Sequence, residues 1–174
     1  MYYLQPDAES FVEAARHFCE ILIDASSIIV LADIGALERA SHTWRLATIP
    51  EAALEAGPDL LTKEERPIII IREVSPIQTK RLQGKPSTDL LLVETARKHR
   101  WPLLSEDRKI LMAAEEAGLL CFDSLVAIEL LKALSPQGPQ LYEGWQRRIL
   151  SRNKYSSYRR SWAEQIAMAL IKLM

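Results

Sequence analysis

Short apolar segments alternate with helical segments through the first 134 residues, and this pattern constrains the fold more than any other feature of the sequence. Strands that are apolar on both faces are typical of a parallel sheet covered by helices on both sides. We therefore predict an α/β fold, with a three-layer α/β/α arrangement around a central parallel sheet of about five strands. The strands are predicted at 21–24, 46–50, 68–71, 102–105 and 119–122.

Helix boundaries are marked by residues with known capping preferences. Asp7 is the predicted N-cap of an N-terminal helix that extends to about Phe18, and Gly35 is the predicted C-cap of the next helix. Pro50 suits the first turn of a further helix. The other predictions are a loop at 76–87 and helices at 87–100 (N-cap Ser87 or Thr88), 107–117 (N-cap Asp107 or Ser105) and 124–134.

Charge is distributed unevenly along the chain. Residues 135–174 carry seven Lys and Arg against two acids, a net charge of +5, whereas residues 1–134 carry a net charge of −6. The near-zero total therefore does not exclude a nucleic-acid partner. We predict an α/β domain at 1–135 and a basic, aromatic, helical C-terminal extension at 136–174.

Several classes of protein are disfavoured by what the sequence lacks. Cys19 and Cys121 are far apart, and no Cys or His spacing fits a zinc site or a disulfide framework, which suits a cytoplasmic protein. The N-terminus does not resemble a signal peptide, and no apolar run approaches the ~20 residues that span a bilayer. Neither GxGxxG nor GxxxxGK[ST] occurs, so a Rossmann-like domain for a small phosphorylated ligand is a less favoured alternative.

Carboxylates cluster at the predicted strand ends and helix starts. In parallel sheets the carboxyl ends of the strands meet at one edge, where ligands bind, so these side chains are expected to share one rim. They are Asp24 after the first strand, Glu51 and Glu55 in the helix after the second, Asp89 at the start of the helix before the fourth, and Glu106 and Asp107 after the fourth.

A carboxylate cluster without His or Cys suits a hard cation such as Mg²⁺, which prefers oxygen ligands. Two such ions about 4 Å apart can support phosphodiester hydrolysis. Each acid alone also has a structural explanation: Asp89 and Asp107 would favour a helix N-terminus, and Glu51 and Glu55 would occupy one solvated helix face. The prediction of a metal site rests on the convergence of all of them.

Three segments resemble the PIN-domain family, and together they place the resemblance over roughly residues 20–134. LIDASSIIVLADIGALERA resembles its first block, IPEAALE its second, and STDLLLVETARKHRWPLLSEDRKILMAAEEAGL its third. The resemblance implies metal-binding carboxylates at Asp24, Asp89 and Asp107, with a further catalytic acid at Glu55, or at Glu51 as the second choice. It also implies supporting hydroxyls at Ser26 and Ser105.

The family consists of nucleases that depend on Mg²⁺ or Mn²⁺ and act mostly on single-stranded or structured RNA. Many prokaryotic members are the toxins of toxin–antitoxin pairs. The resemblance therefore implies an endoribonuclease, with an antitoxin protein as a possible partner. The alternative is a catalytically inactive PIN-like protein that binds nucleic acid or serves as a scaffold.

The C-terminal extension interleaves cations with aromatic residues. Such a pattern can neutralise phosphates and stack on unpaired bases, which predicts an RNA-binding arm. One alternative is that the aromatic residues pack onto the α/β domain while the arginines pair with its acids. Another is a homodimer contact through the apolar residues 166–174. The predicted RNA-binding residues are Arg147, Arg148, Arg152, Lys154, Arg159 and Arg160.

Overall fold

The computed structural model describes residues 7–62, 67–71, 87–152 and 154–173. Within these ranges the chain forms five strands and ten helices. In chain order they are α1 (Ala8–Ala15), β1 (Glu20–Ile23), α2 (Ala25–Ile34), α3 (Leu37–Thr43), β2 (Arg45–Thr48), α4 (Pro50–Ala56), α5 (Pro58–Thr62), β3 (Ile69–Ile70), α6 (Thr88–His99), β4 (Leu103–Leu104), α7 (Arg108–Glu116), β5 (Cys121–Phe122), α8 (Ser124–Leu134), α9 (Gly138–Arg152) and α10 (Ser157–Leu173).

The five strands form one parallel sheet in the order β3-β2-β1-β4-β5, which confirms the predicted α/β class and strand number. In the register of β1 with β4, Leu22 lies opposite Leu103 and Ile23 opposite Leu104. Four of the strands are shorter than predicted, and β1 has its predicted length but lies one residue earlier in the chain. Asp24, predicted as the last residue of the first strand, is instead the N-cap of α2.

The predicted helix caps are present where the structure describes them. The Asp7 carboxylate caps α1, and Gly35 ends α2 in the left-handed conformation at φ 76°. Pro50 opens α4, while Ser87 and Asp107 are the N-caps of α6 and α7. These local signals are reliable because each acts on a backbone group that the helix itself leaves without a partner: the caps satisfy such a group, and a proline in the first turn removes one.

Two short helices, α3 and α5, were not predicted. Helices this short are marginal by themselves and depend on tertiary packing, which sequence periodicity does not report. In the structure α3 packs against α2 and α8, and α5 packs against α4 and α2. Of the predicted loop at 76–87, residues 76–86 lie outside the described residues.

The helix contacts agree with a three-layer α/β/α arrangement. Helix α6 packs against α7, whereas α2 packs against α3, α4 and α8. The two C-terminal helices join this assembly, since α9 and α10 both pack against α8, and α10 also packs against α1. Every helix in the described residues is too short or too polar to cross a membrane. The core shared with the sheet includes Trp145, Ile149, Trp162 and Ile166 from the extension.

Candidate active site

The strand order places a crevice at the carboxyl ends of β1 and β4. The chain proceeds from β1 outward to β2 and β3 on one side, and then returns to build β4 and β5 on the other. In parallel sheets such a reversal leaves the loops after the two central strands pointing apart, and ligands bind between them. Asp24 follows β1 and Ser105 follows β4, so the two residues face each other across this switch point.

Asp24 is almost fully buried and accepts hydrogen bonds on both carboxylate oxygens. Its Oδ1 accepts from the Ser27 amide at 2.8 Å and from the Ser26 hydroxyl at 3.0 Å. Its Oδ2 accepts from the Ser105 hydroxyl at 2.6 Å and from Ser26 at 2.8 Å. Burial raises the pKa of Asp24 above its ordinary value, although these donors oppose the shift. Ser26 and Ser105, the two supporting hydroxyls that the resemblance implies, thus both donate to Asp24.

The loop after β4 joins two of the predicted acids. Ser105, which donates to Asp24, also accepts a hydrogen bond at 3.0 Å from the backbone amide of Asp107. The Asp107 carboxylate in turn caps α7 by accepting from the Lys109 amide at 2.7 Å. One buried hydroxyl thus fixes the positions of Asp24 and Asp107 relative to each other.

All four predicted catalytic acids line one small cavity of about 90 Å³, which has room for a few water molecules. Asp24 contributes from the start of α2, Glu55 from α4, Asp89 from the first turn of α6 and Asp107 from the start of α7. Glu51, the second choice for the α4 acid, is not among the residues that line it.

The donor chemistry of this cavity fits a hydrated Mg²⁺ or Mn²⁺. No three His, Cys, Asp or Glu side chains among the described residues are arranged to hold an ion together. Magnesium in proteins commonly uses only one or two carboxylates and retains several waters, with substrate phosphates as further ligands. The polar side chains of the lining are four carboxylates and the hydroxyls of Ser26 and Thr88, and these oxygen donors suit that mode of binding. Asp24, Asp89 and Asp107 are the residues that would hold the hydrated ion, directly or through its waters.

No protein-family model, curated protein or solved structure matches the chain. The likeness to PIN domains therefore stays a resemblance carried by the three sequence segments. The strand order and the position of the acidic cavity are observed directly in the structure of this chain.

A second pair of acids lies beside this cavity. Glu106 was predicted to share the rim but does not line the cavity, and Asp123 was not among the predicted acids. Glu106 follows β4 and Asp123 follows β5, and Arg159 of α10 bridges their carboxylates. Burial raises the pKa of Glu106, the charge of Asp123 raises it further, and Arg159 opposes both effects. A signal for Asp123 was available, because it follows the apolar run at 119–122 in the same way as Asp24 follows the first strand.

The predicted RNA-binding cations divide into two groups. Arg148 donates to the Ile34 carbonyl at 2.6 Å, Arg152 pairs with Asp33 at 3.0 Å, and Arg159 bridges Glu106 and Asp123. Three aromatic residues of the extension are buried, namely Trp145, Tyr155 and Trp162, which agrees with the alternative that the extension packs onto the α/β domain. The other three predicted cations, Arg147, Lys154 and Arg160, are exposed.

Proposed function

We propose that this protein is a metal-dependent endoribonuclease that hydrolyses RNA phosphodiester bonds at the cavity lined by Asp24, Glu55, Asp89 and Asp107. The observation that supports the proposal is the convergence of these four acids. They are spread over more than 80 positions of the sequence and come from four different helix regions, yet they line one cavity at the switch point of the sheet. Isolated surface acids have no reason to collect in this way, because like charges repel.

The chain positions its acids by hydrogen bonds and helix termini. Ser26 and Ser105 hold the Asp24 carboxylate in one orientation, and Asp107 is fixed by its role as an N-cap. Asp89 lies in the first turn of α6, where the helix dipole favours a negative charge. A divalent cation held by these carboxylates would supply positive charge that stabilises the charge developing on phosphate oxygens during hydrolysis.

A cation in the cavity would also reverse the effect of burial on Asp24. Burial raises the pKa of this acid and so favours its protonated form. A nearby positive charge favours the ionised form instead. Binding of the metal and ionisation of Asp24 are therefore expected to be coupled, so that metal affinity increases as pH rises.

RNA is proposed as the substrate because of the resemblance to PIN domains and because of the exposed cations of the extension. Arg147, Lys154 and Arg160 are available for contacts with phosphates. Each phosphate contact that a cation makes releases counterions from the nucleic acid and makes binding sensitive to salt.

The test is hydrolysis of a labelled single-stranded RNA by chelator-treated protein to which Mn²⁺ or Mg²⁺ has been restored. The decisive variant is Asp107→Asn, because asparagine caps a helix about as well as aspartate and the fold should be retained. The matched control is Asp59→Asn, which changes an exposed acid that does not line the cavity. Cleavage that needs the metal, that is lost in Asp107→Asn and in Asp24→Asn, and that persists in Asp59→Asn is the expected result.

If Asp107→Asn and Asp24→Asn both cleave the RNA as fast as the wild type, the proposed site is refuted. A single-stranded DNA of the same sequence tests the choice of substrate. Faster cleavage of the DNA would refute RNA as the substrate while leaving the site intact.

One observation favours a second candidate, a protein that binds nucleic acid without cleaving it. Among the described side chains, no three potential ligands converge on a single ion position. This candidate predicts RNA binding that weakens with salt, that is unaffected by chelators and by Asp107→Asn, and that is never followed by cleavage. Replacing Arg147, Lys154 and Arg160 by glutamine would weaken binding under both candidates, so the dependence on metal and on Asp107 separates them.

A further inference from the structure

The loop at 105–107 contacts the candidate site on one side and the C-terminal extension on the other. Ser105 donates to Asp24, and Asp107 lines the acidic cavity. Glu106, between them, does not line the cavity. Its Oε2 instead accepts hydrogen bonds from the Tyr155 hydroxyl at 2.9 Å and from Arg159 Nη2 at 3.1 Å. Three consecutive residues thus connect two parts of the protein that are about 50 positions apart in sequence.

Both carboxylate oxygens and the backbone amide of Glu106 form hydrogen bonds. Besides its two contacts with the extension, its Oε1 accepts from the Ser124 amide at 2.7 Å. Its own backbone amide donates to Ser26 Oγ at 3.3 Å. Ser26 is the residue whose hydroxyl donates to Asp24. A continuous chain of contacts therefore leads from Arg159 through Glu106 and Ser26 to the Asp24 carboxylate.

Arg159 is itself firmly placed. Its Nε donates to Asp123 Oδ2 at 2.5 Å, and the Asp123 side chain is completely buried. Its guanidinium also lies 4.5 Å from the centre of the Tyr155 ring. The guanidinium of an arginine is planar and its N–H groups point in fixed directions, so it can hold two carboxylates at a fixed distance from each other. A lysine ammonium does not impose such a distance. Arg159 therefore fixes the loop after β4 against the loop after β5.

We propose that Arg159 and Tyr155 are positioning residues for the acidic cavity, so that the C-terminal extension completes the site without entering it. The extension orders Glu106, the backbone of Glu106 orders Ser26, and Ser26 orients Asp24. The consequence for metal binding and cleavage rests on the proposed function, whereas the ordering of the loop does not. Residues that orient metal ligands from outside typically change metal affinity or activity by ~10–100-fold when they are replaced.

The first test measures the ordering directly and needs no metal. Amide hydrogen exchange is followed at Glu106 and Asp107 in Arg159→Met and in Tyr155→Phe, with retention of the fold checked by circular dichroism. The matched control is Arg152→Met, which removes an arginine of the same extension that pairs with an exposed acid away from the cavity. We expect exchange at both amides to accelerate by about tenfold or more in Arg159→Met, less in Tyr155→Phe, and not in Arg152→Met.

The second test measures the effect on the site, with Mn²⁺ alone as the probe. Arg159→Met is expected to weaken Mn²⁺ binding by ~10–100-fold, and Arg159→Lys to recover part of that loss by retaining the charge. Ser26→Ala is then combined with Arg159→Met. If both act through the same chain of contacts, their effects on Mn²⁺ affinity are not additive, whereas a general loss of stability would leave them additive.

Each outcome supports or overturns the inference. Unchanged exchange at Glu106 and Asp107 in folded Arg159→Met overturns it, and so do additive effects on Mn²⁺ affinity. If Arg159→Met does not fold, Tyr155→Phe decides, because it removes one hydroxyl and retains the ring. A wild-type protein that binds no Mn²⁺ contradicts the proposed function, and the exchange measurement then decides the inference by itself.

Discussion

Replacing Ser105 by alanine removes one hydroxyl that serves two partners at the centre of the candidate site. Ser105 Oγ donates to Asp24 at 2.6 Å and accepts from the Asp107 amide at 3.0 Å. Ser105 is completely buried and Asp24 is 4% exposed, so water does not readily replace the lost group. The substitution therefore leaves a buried carboxylate with one donor fewer and a backbone amide without its partner.

The cost follows from these two contacts. A hydrogen bond to a charged group contributes about 1.5–3 kcal/mol and a neutral one about 0.5–1.5 kcal/mol. We therefore expect Ser105→Ala to lower the free energy of unfolding by about 2–4 kcal/mol, a large share of the ~5–15 kcal/mol that is typical of a domain. Ser105→Thr, which retains the hydroxyl, is expected to retain more of this stability.

The assay is urea denaturation monitored by circular dichroism, with Ser41→Ala as the matched control. Ser41 is also buried, but its hydroxyl donates only to the Glu38 carbonyl at 2.8 Å within its own helix. Its replacement is expected to cost about 1 kcal/mol or less. If Ser105→Ala costs no more than Ser41→Ala, the buried hydroxyl does not hold the site together and the reasoning is wrong.

Three further predictions concern the metal, a buried acid and the extension. Mn²⁺ at about 100 times its Kd is expected to raise the Tm of the wild type by ~5–10 °C, and Asp107→Asn should abolish that shift in a thermal melt. Burial raises the pKa of Glu129, so the Glu129 carboxyl group binds its proton more tightly in the folded protein than in the unfolded chain. The protein therefore loses stability as pH rises from the pKa of Glu129 in the unfolded chain to its higher pKa in the folded protein. Glu129→Gln cannot ionise but retains an acceptor for Tyr142. The free energy of unfolding of this variant, measured by urea denaturation relative to that of the wild type, should therefore be higher at about pH 7 than at about pH 4. The same difference in free energy at both pH values would contradict this prediction. Arg148→Met removes a 2.6 Å hydrogen bond to the last carbonyl of α2 and should lower Tm by ~2–8 °C, whereas an unchanged Tm would show that this contact adds nothing.

The α/β class could be predicted because its signals are local. Apolar strands, helix caps and left-handed glycines each act within a few residues, and Asp7, Gly35 and Pro50 have the roles that were predicted for them. The strand ends were predicted less accurately, because a residue such as Asp24 can either be the last residue of a strand or cap a helix. The hydrogen bond from the Ser27 amide to Asp24 decides in favour of the cap.

The convergence of the four acids was predictable for a different reason. Parallel strands share one carboxyl edge, so any acid placed after a strand or at the start of a following helix is brought toward that edge. The same rule applies to Asp123, which the sequence predictions did not include. No comparable rule predicts that a residue of the extension, such as Arg159, lies near the site. The pattern of strands and helices does not specify where an appended helix packs.

The sequence by itself therefore determined the parallel sheet, most helix ends and the edge at which Asp24, Asp89 and Asp107 collect. The sequence resemblance already favoured Asp107 over its neighbour Glu106, and only the tertiary structure decided which groups each of these two acids contacts. Asp107 lines the cavity, while Glu106 binds Tyr155 and Arg159. The physical reason is that the direction of a buried carboxylate is set by the donors that satisfy its charge. For Glu106, two of those donors lie about 50 residues away, Arg159 on α10 and Tyr155 just before it, and the position of this segment depends on how the extension packs onto the rest of the protein.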